Sequence, residues 1–197
     1  SNDNSGVAES KSWSLLQTIS FTADSASITI GNSRTIAAST GEGSGTITYT
    51  SSDTSIASVS AEALVYANAL GNVIITATTA ADSIYSEASA TISITVDPLK
   101  EQTISFPNPS FSMEIDTAQT VVASGGDGTG VISYTSSDEN VLTVSPEGLV
   151  TAIALGSAQI TAVMAADSEY QEASASATVT VVEGSVVLDP PVITLRS

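Results

Sequence analysis

The sequence predicts an all-β protein made of two β-sandwich domains in tandem, and two observations predict it. The first is an internal repeat: residues 17–21 read QTISF, residues 102–106 read the same, and the offset of 85 residues then holds without a gap to Val96 and Val181. The second is a series of short segments rich in Thr, Ile and Val, separated by Gly and Asp-Ser clusters, as is typical of strands and turns. Solenoid repeats are much shorter than these copies, so each copy is predicted to be a domain of its own.

The strands follow from alternation of polar and apolar residues. Val73, Ile75 and Ala77 have the phase of inward-facing residues, and their counterparts Ala158, Ile160 and Ala162 keep it. No segment has a helical period. We place strands in the first copy near residues 17–21, 27–30, 33–39, 45–51, 56–60, 63–68, 72–79 and 88–96, and the second copy repeats them 85 residues later. This number of short strands in about 80 residues favours a β-sandwich.

The domain limits follow from the repeat. Residues 1–16 are predicted to be a flexible N-terminal tether, 17–97 the first domain, 98–101 a short linker containing Pro98, and 102–183 the second domain. Residues 184–197 form a C-terminal extension, which would be an edge strand or the start of another module. We expect a lipidated Cys upstream of residue 1, which would make the chain a lipoprotein ectodomain.

Composition excludes several functions. The chain has four Lys plus Arg against 21 Asp plus Glu, a formal charge of −17, so it lacks the basic side chains that bind nucleic acid or an anionic lipid surface. It has no Cys and no His, which excludes disulfides, thiolate chemistry, His-ligated zinc and any His-based triad. The prediction is a soluble, monomeric, non-enzymatic protein with no catalytic or cofactor-binding residue.

The repeated motifs resemble the bacterial immunoglobulin-like domains of group 2, found in invasin- and intimin-type surface proteins. The resemblance lies in YTSSD at 49–53, in LV at 64–65, in ALG at 69–71 and in ITA at 75–77, and the second copy matches better, with SPEGLVTA at 145–152. In the first copy Ala63 stands where the family has glycine. The resemblance implies two tandem immunoglobulin-like β-sandwiches and an exported, cell-surface setting, and it implies no particular ligand.

The Ser-Ser-Asp sequence at 51–53, repeated at 136–138, is the first candidate site. A catalytic serine needs a base within hydrogen-bonding reach and an oxyanion hole, and neither copy contains His or Lys. The alternative is structural. Tyr49 would add bulk to the core, and Asp53 would accept a hydrogen bond from the backbone two residues on, which closes an Asx turn.

Calcium is the second possibility that the residues raise. The acidic segments 82–87 and 167–172 offer Asp, Ser and Glu oxygens, but their spacing matches no EF-hand loop, and a solvated connection that carries Tyr85 and Tyr170 against the sandwich is favoured. Asp97 and Glu101 at the junction could also join Asp82 or Glu87 around an ion between the domains. We assign no metal ligand.

Three further features have simple interpretations. The glycine-rich stretches 41–45 and 125–130 lack the helix and Lys of a phosphate loop, so they are predicted to be connections, while Gly71 and Gly156 permit tight turns. Trp13 is either a sugar-stacking platform or part of an early strand. Paired carboxylates for glycoside hydrolysis would have to face each other across a cleft, and the acidic residues fall mainly in turns.

The function expected from the sequence is therefore non-catalytic: an acidic, elongated stalk or adhesion module on a bacterial surface, with an unidentified protein or glycan partner. The alternative is a carbohydrate-binding accessory surface lipoprotein, which an exposed aromatic cluster would indicate.

Overall fold

The structure, a computed structural model, describes residues 14–184 and divides into two compact units. The first unit ends at Leu99 and the second begins at Lys100. Every regular element within residues 14–184 is a β-strand. No helix in this range is long and apolar enough to cross a membrane.

The strands of the first unit are short in its N-terminal half and long at its end, where β8 and β9 form the central pair. They are β1 (Ile19–Ser20), β2 (Ser25–Thr29), β3 (Ser33–Thr35), β4 (Ser39–Thr40), β5 (Ile47–Ser51), β6 (Ala57–Val59), β7 (Leu64–Ala67), β8 (Gly71–Thr79) and β9 (Ala88–Asp97).

The second unit repeats this series element for element. Its strands are β10 (Ile104–Ser105), β11 (Ser110–Glu114), β12 (Ala118–Thr120), β13 (Ser124–Gly125), β14 (Ile132–Ser136), β15 (Leu142–Val144), β16 (Leu149–Ala152), β17 (Gly156–Met164) and β18 (Ala173–Val182).

Each unit contains two main sheets. In the first unit the four-stranded sheet has the order β2-β9-β8-β5, in which β2 runs parallel to β9 and the other pairs are antiparallel. The second sheet has the order β3-β7-β6, and β1 pairs briefly with β4. The second unit has the same orders, β11-β18-β17-β14 and β12-β16-β15. The predicted tandem immunoglobulin-like β-sandwich fold is confirmed.

The core of each unit lies where the inward-facing residues of its sheets meet. Val73, Ile75 and Ala77 are buried along β8 and Ala158, Ile160 and Ala162 along β17, so the predicted alternation is confirmed. Ile75 and Ile160 are completely buried at equivalent places. Because the strands alternate apolar and hydroxyl residues, one face of each sheet packs inward and the other presents Ser and Thr to water.

Both units begin earlier than the repeat in the sequence suggests. Leu15, in the predicted tether, forms a parallel β-bridge with Tyr85, and Lys100, in the predicted linker, forms the same bridge with Tyr170. Backbone pairing does not require similar side chains, and Leu15 and Lys100 have nothing in common as side chains. The alignment of the two copies therefore does not reveal them.

Candidate functional site

The Ser-Ser-Asp sequence builds a turn in both domains, as predicted. The Asp53 carboxylate accepts hydrogen bonds from the backbone N–H of Ser55 at 2.9 Å and from its hydroxyl at 2.6 Å. The hydroxyl bond is the largest cause of the lowered pKa of Asp53. Asp138 accepts from the backbone N–H of Asn140 at 2.9 Å in the same geometry. This is the Asx turn.

The serines of the motif are engaged in joining strands. Ser51 Oγ donates to the carbonyl of Ala57 at 2.6 Å, which links β5 to β6 in the other sheet. Ser52 Oγ accepts from the backbone N–H of Ile74 at 3.0 Å, and Ser137 Oγ accepts from that of Gln159 at 2.8 Å. None of these three bonds activates a nucleophile, because in each the partner is a backbone group that cannot act as a base.

The motif tyrosines connect the turn to the core. Tyr49 is half-buried against the core of the first domain, and its hydroxyl accepts a hydrogen bond from the backbone N–H of Ala38 at 3.0 Å. Tyr134 accepts from Ala123 at 3.1 Å in the second domain. The motif as a whole is a strand and a turn fastened to both sheets.

The acidic segment at 82–87 contains the most heavily hydrogen-bonded carboxylate of the first domain. One oxygen of Asp82 accepts from the backbone N–H of Ser44 at 2.9 Å and from its hydroxyl. The other accepts from the backbone N–H groups of Ile84 and Tyr85 at 2.8 and 2.7 Å. These bonds, led by that from the Ser44 backbone, lower the pKa of Asp82 from 3.8 to about 2.

Asp167 repeats this arrangement in the second domain. It accepts from the backbone N–H of Thr129 at 2.6 Å and from those of Glu169 and Tyr170 at 2.8 Å. The bond from the Thr129 backbone is the largest cause of a pKa that falls to about 2. Both aspartates fasten a glycine-rich connection to the segment that precedes the last strand. The sequence predicts the connection but gives no sign that it is fastened.

A glutamine that sequence reasoning missed completes each fastening. Gln17, which is buried, donates through Nε2 to the carbonyls of Ala80 and Ser86. Gln102 donates to the carbonyl of Gln171 at 2.7 Å and accepts from the backbone N–H of Gly128 at 3.0 Å. The signal was available, because this glutamine opens the identical QTISF motif of both copies.

The remaining acidic candidates are distributed between the two units. Asp97 ends β9 of the first unit, whereas Glu101 belongs to the second. Within residues 14–184, no group of three acidic side chains is arranged to share a metal ion. Lys100 forms an ion pair with Glu169 at 3.0 Å and lies 5.3 Å from the centre of the Tyr170 ring. Trp13 lies outside the described residues.

Shallow hollows mark the sides of the sandwiches. The hollow of about 90 Å³ that contains Phe21 and Arg34 and the hollow of about 100 Å³ that contains Phe111 lie at equivalent places. A hollow of about 320 Å³ lies beside Tyr49, between β5 and β6, and one of about 310 Å³ lies beside Asp167. The two larger volumes are at the lower end of the range of roughly 300–1,000 Å³ that small-molecule sites occupy.

The family is shown by a protein-family model that matches the chain in two segments. The model of the bacterial Ig-like domain, group 2, matches residues 16–84 and again residues 100–174. The chain belongs to this family. Its two bacterial Ig-like domains are thus the two units that the structure shows, and the YTSSD turn lies inside both matched segments.

Solved structures with similar folds include surface-layer proteins and cadherins. Domains 4 and 5 of the S-layer protein SbsC share 16% identity over 84% of this chain and 97% of that chain, with a TM-score of 0.47. A longer SbsC structure gives 20% identity over 79% of this chain and a TM-score of 0.46, and the match spans 24% of its length. Mouse cadherin-23 EC22–24 gives 14% identity over 85% of this chain and 65% of that chain, with a TM-score of 0.34. A search of curated proteins gives no match.

Proposed function

We propose that the two bacterial Ig-like domains form a non-catalytic stalk or adhesion module of an exported bacterial surface protein. The observation that carries the proposal is the use of the motif side chains. In both domains the serines, aspartates, tyrosines and glutamines of the repeated motifs are hydrogen-bonded to backbone groups of the same domain. They stabilise the turns and connections of each domain, as a stalk or adhesion module that must stay folded requires.

The distribution of charge supports the same function. In the described strands, the ionised residues are Arg34, Asp97 and Glu114, and the other charged residues of residues 14–184 lie in turns and connections. The outer faces of the sheets are therefore largely uncharged, with Ser and Thr beside exposed apolar residues such as Tyr66 and Ile74, while most of the negative charge of residues 14–184 lies in turns and connections. A net charge far from zero keeps a displayed protein soluble and discourages binding to anionic surfaces.

A binding array of glycans and host proteins, probed with the whole chain with and without calcium, tests this proposal. The expected result is binding to a protein or glycan partner, or no binding for a pure spacer, with no turnover of glycan or ester substrates in either case. Hydrolysis of any such substrate that is lost in Asp53→Ala at an unchanged melting temperature would contradict it. Detection of an acyl chain on the cell-associated protein tests attachment through an upstream lipidated Cys.

One observation favours carbohydrate binding as a second candidate. Tyr66 is 45% exposed on the outer face of the three-stranded sheet of the first domain, where it lies opposite Ser33 and Ser58 in the neighbouring strands. An exposed ring beside hydroxyls can stack on a sugar. Loss of glycan binding in Tyr66→Thr, which introduces the residue of the second domain, tests this candidate.

A further inference from the structure

The free edge of β5 lacks the features that normally prevent an edge strand from pairing with another strand. β5 is the last strand of its sheet and pairs with β8 alone among the described strands. Its residues, Ile-Thr-Tyr-Thr-Ser, include no charge, no proline and no glycine. Natural sheets normally blunt such edges with charges, prolines or bulges, because an unpaired edge is a template for another strand. The edge of β14 in the second domain, Ile-Ser-Tyr-Thr-Ser, is just as bare.

The backbone hydrogen bonds at the ends of β5 determine which residues face this edge. Ser52 N–H donates to the Ile74 carbonyl, and Ala80 N–H donates to the Thr46 carbonyl. Residues of an antiparallel strand alternate between pointing their backbone groups at one neighbour and away from it. The even-numbered residues of β5 therefore bond to β8, and the N–H and C=O groups of the odd-numbered residues point outward.

The three residues whose backbone groups point outward are Ile47, Tyr49 and Ser51, and Tyr49 lies midway between the other two. A second β5 that runs antiparallel would place Tyr49 opposite Tyr49 and Ile47 opposite Ser51, so that every outward N–H and C=O of the edge finds a partner. The edge is thus complementary to itself, as a two-fold symmetric interface requires. The corresponding residues of β14 are Ile132, Tyr134 and Ser136, because Ser137 N–H bonds to Gln159 and Ala165 N–H bonds to Val131 in the same pattern.

Charge permits this pairing although each chain carries −17. β5 contains no charged residue, so in the antiparallel register no acidic side chain of one β5 faces an acidic side chain of the other. The pairs on the outer face are Thr48 with Thr50, and threonine pairs across strands are favourable. We propose that β5 and its counterpart β14 are self-association edges, whose partner is a second copy of this chain added as a continuous antiparallel strand.

This inference goes beyond the proposed function, because it names a partner, and it differs from the monomer expected from the sequence. A single five-residue strand edge is expected to bury less than the roughly 1,200 Å² of a specific, stable interface, so the association is expected to be weak. It should strengthen with salt, since the Debye length falls from about 10 Å at 0.1 M to about 3 Å at 1 M and the repulsion between two acidic chains is screened.

Sedimentation velocity of the whole chain up to about 1 mM tests the association. We expect dimers or short oligomers that increase with protein and salt concentration. Replacing Thr48, Thr50, Ser133 and Thr135 with Glu puts carboxylates opposite each other and should weaken association roughly tenfold or more. The matched control replaces Thr91, Ser93, Ser176 and Thr178 with Glu, which adds the same charge to exposed positions on the interior strands β9 and β18 and should leave association much closer to wild type.

Disulfide trapping tests the register without depending on stability, because the chain contains no Cys. A mixture of Thr48→Cys chains and Thr50→Cys chains should cross-link on mild oxidation, and a mixture of Thr91→Cys and Ser93→Cys chains should not. A chain that remains monomeric at 1 mM in high salt, or one that associates equally in the edge and control variants, overturns the proposal. Either result would leave the binding-array test of the proposed function unaffected.

Discussion

The two domains have the same left-handed backbone conformation at two positions, but each position is a glycine in one domain and another residue in the other. Gly31 of the first domain has φ of 81°, and its counterpart in the second domain is Asp116 at 63°. Conversely, Ala63 of the first domain has φ of 63°, and its counterpart is Gly148 at 80°. The fold therefore requires left-handed backbone at both places, whichever residue is there. For Ala63, which is buried, this conformation costs about 1–2 kcal/mol.

At their N-terminal ends the two domains likewise have the same backbone pairing but different side chains. Leu15 and Ile84 are more than half exposed in the first domain, whereas the equivalent Lys100 and Glu169 of the second domain form an ion pair. The backbone pairing beneath them is identical, since Leu15 bonds to Ile84 as Lys100 bonds to Glu169. The pairing is a property of the fold, and the side chains above it are free to differ.

Removing a core side chain should have the largest effect and should show whether the domains are stabilised separately. Ile75 and Ile160 are equivalent and have no exposed surface. Replacing either with Ala should cost about 2–5 kcal/mol, because it removes buried methyl groups and leaves a cavity. Chemical denaturation followed by NMR signals from each domain should show loss of stability only in the domain that carries the change. Equal loss in both would mean that they unfold as one unit.

Exchanging glycine for alanine in the second domain should have the next largest effect. A Cβ atom on Gly148 would lie 2.5 Å from the Val121 carbonyl oxygen, and the residue also has left-handed backbone. Gly148→Ala should therefore cost roughly 1–3 kcal/mol, which the denaturation midpoint of the second domain would report.

The reverse change in the first domain is its control. Ala63→Gly relieves the left-handed strain but removes a buried methyl group, worth about 0.8 kcal/mol, and makes the unfolded chain more flexible. The net change in unfolding free energy should be close to zero. A large loss of stability in this variant would show that the backbone at Ala63 is not strained.

The sequence predicts the fold of both domains well because alternation and turn chemistry are local. The inward phase of β8 and the Asx turn at Asp53 both follow from residues within a few positions of each other. The fastening by Asp82 joins it to Ser44, and that by Gln17 joins it to Ser86, over distances in the chain at which a single sequence carries no signal. The free edge of β5 depends on strand order, which is likewise invisible until the sheet is assembled.

Acid should lower the stability of each domain through one aspartate, Asp82 in the first domain and its equivalent Asp167 in the second. The pKa values of Asp82 and Asp167 fall from 3.8 to about 2 on folding. Their contribution to stability is therefore present above pH 3.8 and is lost as the pH falls towards 2. Unfolding midpoints measured across this range should decline less steeply in Asp82→Asn for the first domain and in Asp167→Asn for the second. Glu62→Gln is the control, and an equally reduced slope in this variant would contradict the assignment.

The smallest effect should come from giving the second domain the apolar end of the first, by Lys100→Leu with Glu169→Ile. The ion pair is exposed, at 61% and 58% for the two side chains, so solvent screens it strongly. The hydrogen bond from Lys100 to Glu169 raises the pKa of Lys100 above 10.5. The contribution of the ion pair to stability is therefore present below pH 10.5 and is lost as the pH rises through the pKa of Lys100 in the folded protein. The melting temperature at neutral pH should change only slightly, and the difference should vanish in high salt. A large, salt-independent loss would instead show that these side chains, and not the backbone pairing of Lys100 with Tyr170, hold the start of the domain in place.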